Sequence, residues 1–342
     1  MSDSLRLFVP DFADPVQRAA FFDVAAAAID VDGYDPFNEQ SRLDVESGRR
    51  SPVIVRLWPG DSELPLDRPV GAAILGRGEL DFVIDPLFRG KGYGEQALRG
   101  LLATARGTLS AWSHGDHPAA RRLAERHGFV LDRTLLHLVA PVPGAAAGSG
   151  DAAGPGDAGP GAAGLHIPLL PAGFTLEPMR VGPDDEEWVA LNARIFDQHP
   201  EQGRLTLGDL HARQAEPWFD AGDVLLLRDA SGRLAGYDWV KVEAPGAGAD
   251  AGSDAGSDGG SLEGEIYVLG VDAALAGHGL GRHLLYAGLT RLADRGCTTA
   301  GLYVEADNVA AVQLYRSAGF VEKTVDVQYR RAVDSGEAKS GW

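Results

Sequence analysis

Five residues in the second half of the chain, Gly277-His278-Gly279-Leu280-Gly281, have the composition of a phosphate-binding turn. They lie between an apolar segment that ends at Val271 and an apolar segment that continues from residue 282. Glycines between a strand and a helix let a phosphate approach the backbone N–H groups, and the helix dipole adds attraction. A related stretch, "RGKGYG", occupies residues 89–94 of the first half. The sequence therefore predicts a ligand that contains phosphate.

Two common nucleotide-binding motifs do not fit these turns. The dinucleotide-binding fingerprint needs Gly-x-Gly-x-x-Gly after a first strand and an acidic residue about 20 positions later. In this chain the last two glycines of the turn are separated by a single residue, and the turn comes late in its unit. The P-loop ends in Gly-Lys-Ser/Thr, which is absent from both turns. Another kind of phosphate ligand is therefore expected.

Two further residues near these motifs have side chains that can titrate. Glu265 stands four residues before Leu269, at the start of the strand that leads to the turn. At this position it is either a general base or an exposed carboxylate on a strand, and its position alone leaves both open. Tyr315 follows Ala311 by one helical turn, a position at which it is most simply an aromatic core residue.

The chain contains the same arrangement twice. Residues 82–102 match residues 269–289, and residues 116–130 match residues 307–321. One such match would be weak evidence. Two matches in the same order, on either side of a low-complexity segment, indicate a tandem duplication.

Two segments rich in Gly, Ala, Pro and Asp divide the chain, because neither can bury enough apolar surface to offset the entropy of ordering it. Residues 143–164 are predicted to link two domains, at 1–142 and 165–335, and residues 245–261 are predicted to be a disordered loop insertion. Each unit has a helical region, a meander of strands, a strand, the glycine turn, an amphipathic helix, a strand, a short helix and a closing strand. This order predicts an α+β fold with a mixed sheet.

The composition limits the partners. A net charge of −18 argues against nucleic acid and against an anionic membrane surface. The single cysteine, Cys297, suits a reducing compartment and is most simply a small buried residue. No apolar stretch approaches the roughly 18 residues of a membrane span, and no secretory signal is recognisable, so we expect a cytoplasmic protein. The scattered histidines lack ligand spacing, and no metal site is expected.

The paired motifs resemble those of the Gcn5-related N-acetyltransferases, the GNAT family. In that family Arg/Gln-x-x-Gly-x-Gly/Ala follows one strand, and Asn-x-x-Ala-x-x-x-Tyr-x-x-x-Gly-Phe follows the next. Residues 308–320, "NVAAVQLYRSAGF", match the second motif in full. The resemblance implies two tandem GNAT domains, each a mixed, splayed β-sheet flanked by helices. It also implies that acetyl-CoA is the co-substrate, with its pyrophosphate on the turn and its pantetheine arm along the open edge of the preceding strand.

The resemblance assigns residues of both domains to acetyl-CoA. In the C-terminal domain these are Leu269, Gly270, Val271, Ala276, Gly277, His278, Gly279, Leu280, Gly281, Arg282, Asn308, Val309, Ala310, Ala311, Val312 and Gln313. In the N-terminal domain they are Phe82, Val83, Ile84, Arg89, Gly90, Lys91, Gly92, Tyr93 and Gly94. The resemblance also makes Glu265 the general base and Tyr315 the acid that protonates the departing thiolate. Ala276 departs from the family, which usually has Gln or Arg there.

A narrower resemblance covers the C-terminal half. The stretches "HPEQGR" at 199–204, "YDWVKV" at 237–242 and "GEIYVLGVD" at 264–272 together are similar to the mycothiol acetyltransferases. That family acetylates the cysteinyl amine of desacetylmycothiol, a pseudo-disaccharide thiol, and so completes mycothiol. The resemblance implies a small-molecule acceptor and a protein that acts as a monomer. The acceptor-binding residues that it implies are Glu39, Glu201, Lys241, Glu265 and Tyr303.

The two repeats are not equivalent. Their alignment sets Ala124 opposite Tyr315, and Gly78, followed by Glu79, opposite Glu265. Because the N-terminal domain lacks the proton donor, we expect it to be degenerate and non-catalytic, although it could still hold acetyl-CoA. Two alternatives stay open for the whole protein. One is the same chemistry on another amine, such as a protein N-terminus or an aminoglycoside, and the other is a non-catalytic acyl-CoA-binding regulator.

Overall fold

A computed structural model describes residues 4–58, 69–144, 170–197, 202–243 and 262–333. The segments before and after residue 150 are called the first and the second repeat. Most of the predicted linker and all of the predicted insertion at 245–261 lie outside the described residues. The described part is α+β, as the sequence predicts, and its strands form one sheet.

The two repeats contain matching sets of elements. In the first repeat the strands are β1 (Ser4–Phe8), β2 (Ser51–Trp58), β3 (Gly71–Gly76), β4 (Glu79–Ile84), β5 (Gly107–Ser113) and β6 (Val130–Pro141), and the helices are α1 (Pro15–Asp32), α2 (Glu39–Glu46), α3 (Tyr93–Thr104) and α4 (Pro118–Arg126). In the second repeat the strands are β7 (Thr175–Pro178), β8 (Val224–Arg228), β9 (Leu234–Lys241), β10 (Leu262–Val271), β11 (Cys297–Glu305) and β12 (Val321–Val333), and the helices are α5 (Asp185–Ile195), α6 (Leu207–Gln214), α7 (Leu280–Asp294) and α8 (Val309–Ser317).

The repeats exchange their last strands. The strand order is β1-β2-β3-β4-β5-β12-β6-β11-β10-β9-β8-β7. Strand β6 of the first repeat therefore pairs with β11 of the second, and β12 of the second repeat pairs with β5 of the first. The boundary predicted near residue 142 marks the sequence repeat, but each half of the sheet contains a strand from the other repeat.

The central strands separate in the middle of each repeat. Strands β10 and β11 run parallel and pair from Leu262 to Glu265, which lies opposite Gly301. Beyond this point β10 pairs only with β9, and β11 pairs only with β6. In the first repeat β4 and β5 pair only at Glu79 and Ser110 before they separate. We call these separations the second split and the first split.

A bulge in β10 corrects the alignment of the repeats. The register of β10 against β9 shifts between Ile266 and Val268, so Tyr267 is one extra residue in the strand, whereas β4 pairs with β3 without a shift. The residue that matches Glu265 in space is therefore Glu79, and the sequence alignment with Gly78 was wrong by one position. A bulge breaks the alternation of a strand, but residues 266–269 are all apolar, so the break was not visible in the sequence.

The sheet has two differently covered faces. The face that carries α3, α4, α7 and α8, called the α7 face, holds two large apolar clusters, which meet at Val325. Helix α7 contributes Leu284, Leu285, Leu289 and Leu292 to this packing, at the spacing of a buried helical stripe. The opposite face, called the α5 face, is covered by α1 and α2 at one end and by α5 and α6 at the other.

Candidate active site

The turn before α7 leaves a row of backbone N–H groups available to a ligand. Gly277 and Gly279 have φ of +82° and +73°, a conformation that favours glycine. In the described structure the N–H groups of residues 277–281 have no intramolecular acceptor. The His278 Nδ1 atom lies 3.1 Å from the carbonyl oxygens of Leu275 and Ala276 and braces the turn. The turn therefore has the geometry of an anion-binding nest at the start of a long helix.

The matching turn in the first repeat has a similar backbone and different charges. Gly90 and Gly92 have φ of +75° and +81°. The guanidinium of Arg89 donates two hydrogen bonds to Asp32, at 2.7 and 2.8 Å. This side chain is therefore directed toward α1 and is not available to bind a phosphate at the turn. In the first turn of α3, Glu95 bonds to His127 at 2.8 Å, where the second repeat has Arg282. A negative charge at this position opposes a phosphate ligand.

The second split exposes a strand edge beside this turn. The residues predicted to bind the pantetheine arm, 269–271, lie in the part of β10 that has no partner on the β11 side. Gly270 is also required for packing, because a Cβ there would lie 2.9 Å from the Ile195 side chain. In the first split, residues 82–84 likewise lie beyond the last pair of β4 and β5. Both edges could accept an extended ligand as an added strand.

Helix α8 begins beside the second split. The Asn308 side chain caps the helix by accepting a hydrogen bond from the N–H of Ala311 at 3.2 Å. The residues that follow, 309 to 313, form the first turns of α8, and only Val312 of these is buried. Gly281 packs between Leu314 of α8 and Val271 of β10, as Gly94 packs between Leu123 and Ile84 in the first repeat. These contacts hold the turn, the strand and the helix together.

Glu265 and Tyr315 lie on opposite faces of the sheet at the second split. Glu265 is half-buried at the last pair before the split and points to the α5 face, because its neighbours Gly264 and Ile266 pack on the α7 face. Tyr315 lies in the α7-face cluster, with its ring 5.9 Å from that of Phe320. Burial raises the pKa of Tyr315. The tyrosine is therefore protonated at neutral pH, as a proton donor must be.

The α5 face beside Glu265 carries two more of the predicted acceptor residues. Lys241 is the cross-strand partner of Glu265 and is buried. Its Nζ atom lies 2.6 Å from Glu243 and 4.8 Å from the centre of the Trp218 ring. Tyr303, on the β11 side of the split, is 46% exposed. Glu265, Lys241 and Tyr303 therefore line one groove, which we call the acceptor groove.

Glu201 lies outside the described residues, but the residue that follows it, Gln202, is held in place by hydrogen bonds. The Nε2 atom of Gln202 donates to the Oδ1 atom of Asn192 at 2.9 Å, and the Tyr237 hydroxyl donates to the same oxygen at 2.7 Å. A Cβ at Gly203 would overlap the carbonyl of Phe196, so only glycine fits there. Glu39 is the first residue of α2, which covers the other end of the same face.

The first repeat lacks both acid–base groups in usable form. Ala124 occupies the position of Tyr315 and is buried. The spatial counterpart of Glu265, Glu79, forms a 3.0 Å ion pair with Arg50, whose side chain is fully buried. Arg50 also bonds to Asp81 at 2.7 Å. A carboxylate held by a buried arginine is a poor proton acceptor, so the structure gives a second reason why this half is expected to be inactive.

Two residues near the site, His137 and Asp238, were not predicted from the sequence. His137 of β6 stacks on Tyr303, with ring centres 4.5 Å apart. The strand exchange brings it there, and no local pattern signals that exchange. Asp238 is fully buried beneath α7, and neither of its carboxylate oxygens has a hydrogen-bond partner among the described residues. The sequence signal that could have indicated Asp238 is an aspartate within an otherwise apolar strand segment, "YDWV".

None of the described helices is long and apolar enough to cross a membrane. Within the described ranges, no group of three or more His, Cys, Asp or Glu side chains could hold a metal ion.

Comparison with known proteins identifies the family. A family model described as "Acetyltransferase (GNAT) family" matches residues 55–129 and again residues 190–320. A mycothiol acetyltransferase of Clavibacter michiganensis is 46% identical over 308 residues, which cover 88% of this chain and 87% of that protein. The mycothiol acetyltransferase of Salinispora arenicola is 39% identical over 96% of this chain and 98% of that protein. The chain belongs to the mycothiol acetyltransferase family.

Membership of the mycothiol acetyltransferase family confirms the predicted tandem GNAT architecture and an acetyltransferase that uses acetyl-CoA. A solved structure, "Tandem GNAT protein from the clavulanic acid biosynthesis pathway", superposes with a TM-score of 0.65 at 17% identity, covering 98% of this chain and 100% of that one. At that identity the likeness supports the fold alone. The roles of individual residues in this mycothiol acetyltransferase family member stay predictions.

Proposed function

We propose that this protein transfers the acetyl group of acetyl-CoA to the cysteinyl amine of desacetylmycothiol and releases coenzyme A. One observation carries the proposal. In a chain that is 46% identical to a mycothiol acetyltransferase, β10 and β11 separate directly beyond Glu265, beside a turn with available N–H groups. This arrangement fits a long ligand with a pyrophosphate at one end and a reactive thioester at the other.

The second repeat would bind acetyl-CoA mainly through its backbone. The N–H groups of residues 277–281 would hold the pyrophosphate at the N-terminus of α7, and Arg282 would add a positive charge. The pantetheine arm would pair with residues 269–271 of β10. Because the contacts are made by N–H groups, Ala276 is compatible with binding although the wider family has a longer polar side chain there.

The acid–base groups of the second repeat suit acyl transfer through the split. Glu265 would take a proton from the acceptor amine. An unperturbed α-amino group has a pKa of about 7.7–8.0, so a modest base is sufficient. The amine nitrogen would attack the thioester carbonyl carbon from the α5 face, while a strand N–H donates to the carbonyl oxygen. The carbon–sulfur bond would then break, and the Tyr315 hydroxyl would give its proton to the thiolate on the α7 face.

The acceptor groove would bind the sugar and inositol groups. Lys241 and Tyr303 line it, and Glu201 would reach it from the loop anchored at Gln202. Glu39 would contribute from α2 of the first repeat, so that the acceptor is held between the two repeats. A polyhydroxylated acceptor needs many hydrogen-bonding partners, which such a mixed groove can provide.

The first repeat would hold acetyl-CoA more weakly and without turnover. Its glycine turn has the required backbone, but Glu95 opposes the pyrophosphate and Arg89 is paired with Asp32. Titration with acetyl-CoA should therefore give one strong site and one weak site. We further propose that the protein acts in the cytoplasm as a monomer and binds no nucleic acid, which its acidic composition disfavours.

The test is an acceptor panel with the purified protein. Thiol release from acetyl-CoA would be followed with desacetylmycothiol, an aminoglycoside and a peptide with a free N-terminus, and the products would be identified by mass. Desacetylmycothiol should be preferred by orders of magnitude, and Tyr315→Phe should slow its turnover. Preference for another amine would refute the proposed acceptor. Binding of acetyl-CoA without acetylation of any amine would instead favour a regulatory role.

A further inference from the structure

The strand exchange brings a titratable side chain of the first repeat to the catalytic split of the second. His137 lies on β6 directly opposite Tyr303 of β11. Their rings are stacked, with centres 4.5 Å apart and planes inclined by 12°. His137 points to the α5 face, because its neighbours Leu136 and Leu138 belong to the α7-face cluster. It therefore lies on the same face as Glu265.

The imidazole of His137 lies beside Gly301, at the point where β10 and β11 separate. A Cβ built on Gly301 would lie 3.2 Å from the Nε2 atom of His137 and 3.3 Å from a carboxylate oxygen of Glu263. Gly301 is the residue opposite Glu265 in the β10–β11 pair. Strands β10 and β6 flank β11, so they lie roughly 10 Å apart. Glu265 and His137 thus stand on either side of a strip of backbone that carries no side chain.

The His137 ring is available for a ligand. Neither of its nitrogens has a hydrogen-bond partner within the described part of the chain, and the residue is half-buried. Burial and the positive charge of Lys323 lower the pKa of His137 to about 4, against an opposing effect of Asp326. Tyr303 of β11 and Thr324 of β12 lie opposite it on the two neighbouring strands, and Glu263, which pairs with Lys323 at 3.8 Å, lies near the same glycine. A neutral imidazole presents one N–H donor and one acceptor nitrogen, which together suit a hydroxyl group.

We propose that His137 is an acceptor-binding residue, which uses its imidazole to hydrogen-bond a hydroxyl group of the acceptor beside the Tyr303 ring. This inference rests on the proposed function, because it requires a hydroxylated acceptor in the groove. The first repeat then has a direct part in the reaction of the second, through the exchanged strand β6. An isolated second repeat would lack both β6 and this contact.

The test compares two substitutions that separate the ring from its nitrogens. His137→Phe keeps an aromatic ring against Tyr303 and removes the hydrogen bond, whereas His137→Gln keeps a nitrogen near the position of Nε2. His137→Phe should raise the KM for desacetylmycothiol about 3- to 12-fold, the loss expected for one net hydrogen bond. The KM for acetyl-CoA and the kcat should stay near the wild-type values. His137→Gln should recover part of the lost acceptor affinity.

A matched control comes from the first split. Gln328 of β12 lies opposite Trp112 of β5, in the same relation as His137 to Tyr303. Gln328→Leu should leave the acceptor KM unchanged. An unchanged acceptor KM in His137→Phe, or an equal rise in the KM for acetyl-CoA, would overturn the role of His137. Absence of turnover in the wild type would instead overturn the proposed function, so the two failures can be told apart.

Discussion

The buried carboxyl of Asp238 should make the stability of the protein fall as the pH rises. Asp238 is 0% exposed, and within the described ranges both of its oxygens lack hydrogen-bond partners. A Cβ at Gly288 of α7 would overlap one of these oxygens. Burial raises the pKa of this carboxyl well above its usual value. The folded state therefore holds a proton that the unfolded chain releases at about pH 3.9.

The sign and size of this effect follow from proton linkage. A raised pKa in the folded state means that the favourable contribution is complete below about pH 3.9 and is lost as the pH rises toward the folded-state pKa. The free energy of unfolding should fall by about 1.4 kcal/mol for each pH unit in that window, relative to a variant that does not titrate. Above the folded-state pKa the difference should be constant.

The measurement is urea unfolding of the wild type and of Asp238→Asn at pH 4.5, 5.5, 6.5 and 7.5. Asn has the same shape and no proton to lose, so the free energy of unfolding of the wild type, measured relative to Asp238→Asn, should fall by about 1.4 kcal/mol from pH 4.5 to 5.5. The free energy of unfolding of Asp238→Leu should depend on pH in the same way as that of Asp238→Asn, because leucine also does not titrate. If the difference in the free energy of unfolding between the wild type and Asp238→Asn is the same at every pH, Asp238 is not a buried, protonated carboxyl.

Three further predictions concern the scaffold of the two repeats. Arg50→Met should lower the free energy of unfolding by about 3–5 kcal/mol in urea, because it leaves a buried carboxylate without its partner; a loss below about 1 kcal/mol would contradict this. Asn192→Ala should raise the KM for the acceptor and not for acetyl-CoA, since it releases Gln202, and equal changes in both constants would argue against it. Gly279→Ala should weaken acetyl-CoA binding, measured by calorimetry, because φ of +73° costs alanine about 1–2 kcal/mol. Its counterpart in the first repeat, Gly92→Ala, should leave the turnover rate unchanged. A loss of turnover in that variant would contradict the assignment of the chemistry to the second repeat.

Local features of the site could be predicted from the sequence. The glycine turns, the cap at Asn308 and the duplication depend on residues that are close together in the chain, so their spacing carries the information. The position of Glu265 at the start of a strand followed from the same reasoning. Its proximity to Lys241 needed only the pairing of two consecutive strands.

Long-range features could not be predicted in this way. The alternation of residues in β6 and β12 fixes which side chains are buried, but it does not say which repeat each strand pairs with. The stacking of His137 on Tyr303 depends on that choice. The bulge at Tyr267 shifted the alignment by one residue, and the pairing of Arg89 with Asp32 joins residues that are far apart in sequence. Each of these features depends on tertiary contacts.

The central claim, that the second split carries out the chemistry, is tested most directly by two matched substitutions. Glu265 and Glu79 occupy the same position in their strands, at the last pair before each split. Glu265→Gln should lower kcat/KM with desacetylmycothiol by about 100-fold or more, the contribution of a general base, while acetyl-CoA still binds. Glu79→Gln should retain the wild-type rate. A large loss in Glu79→Gln, or an active Glu265→Gln enzyme, would contradict the assignment of catalysis to the second repeat.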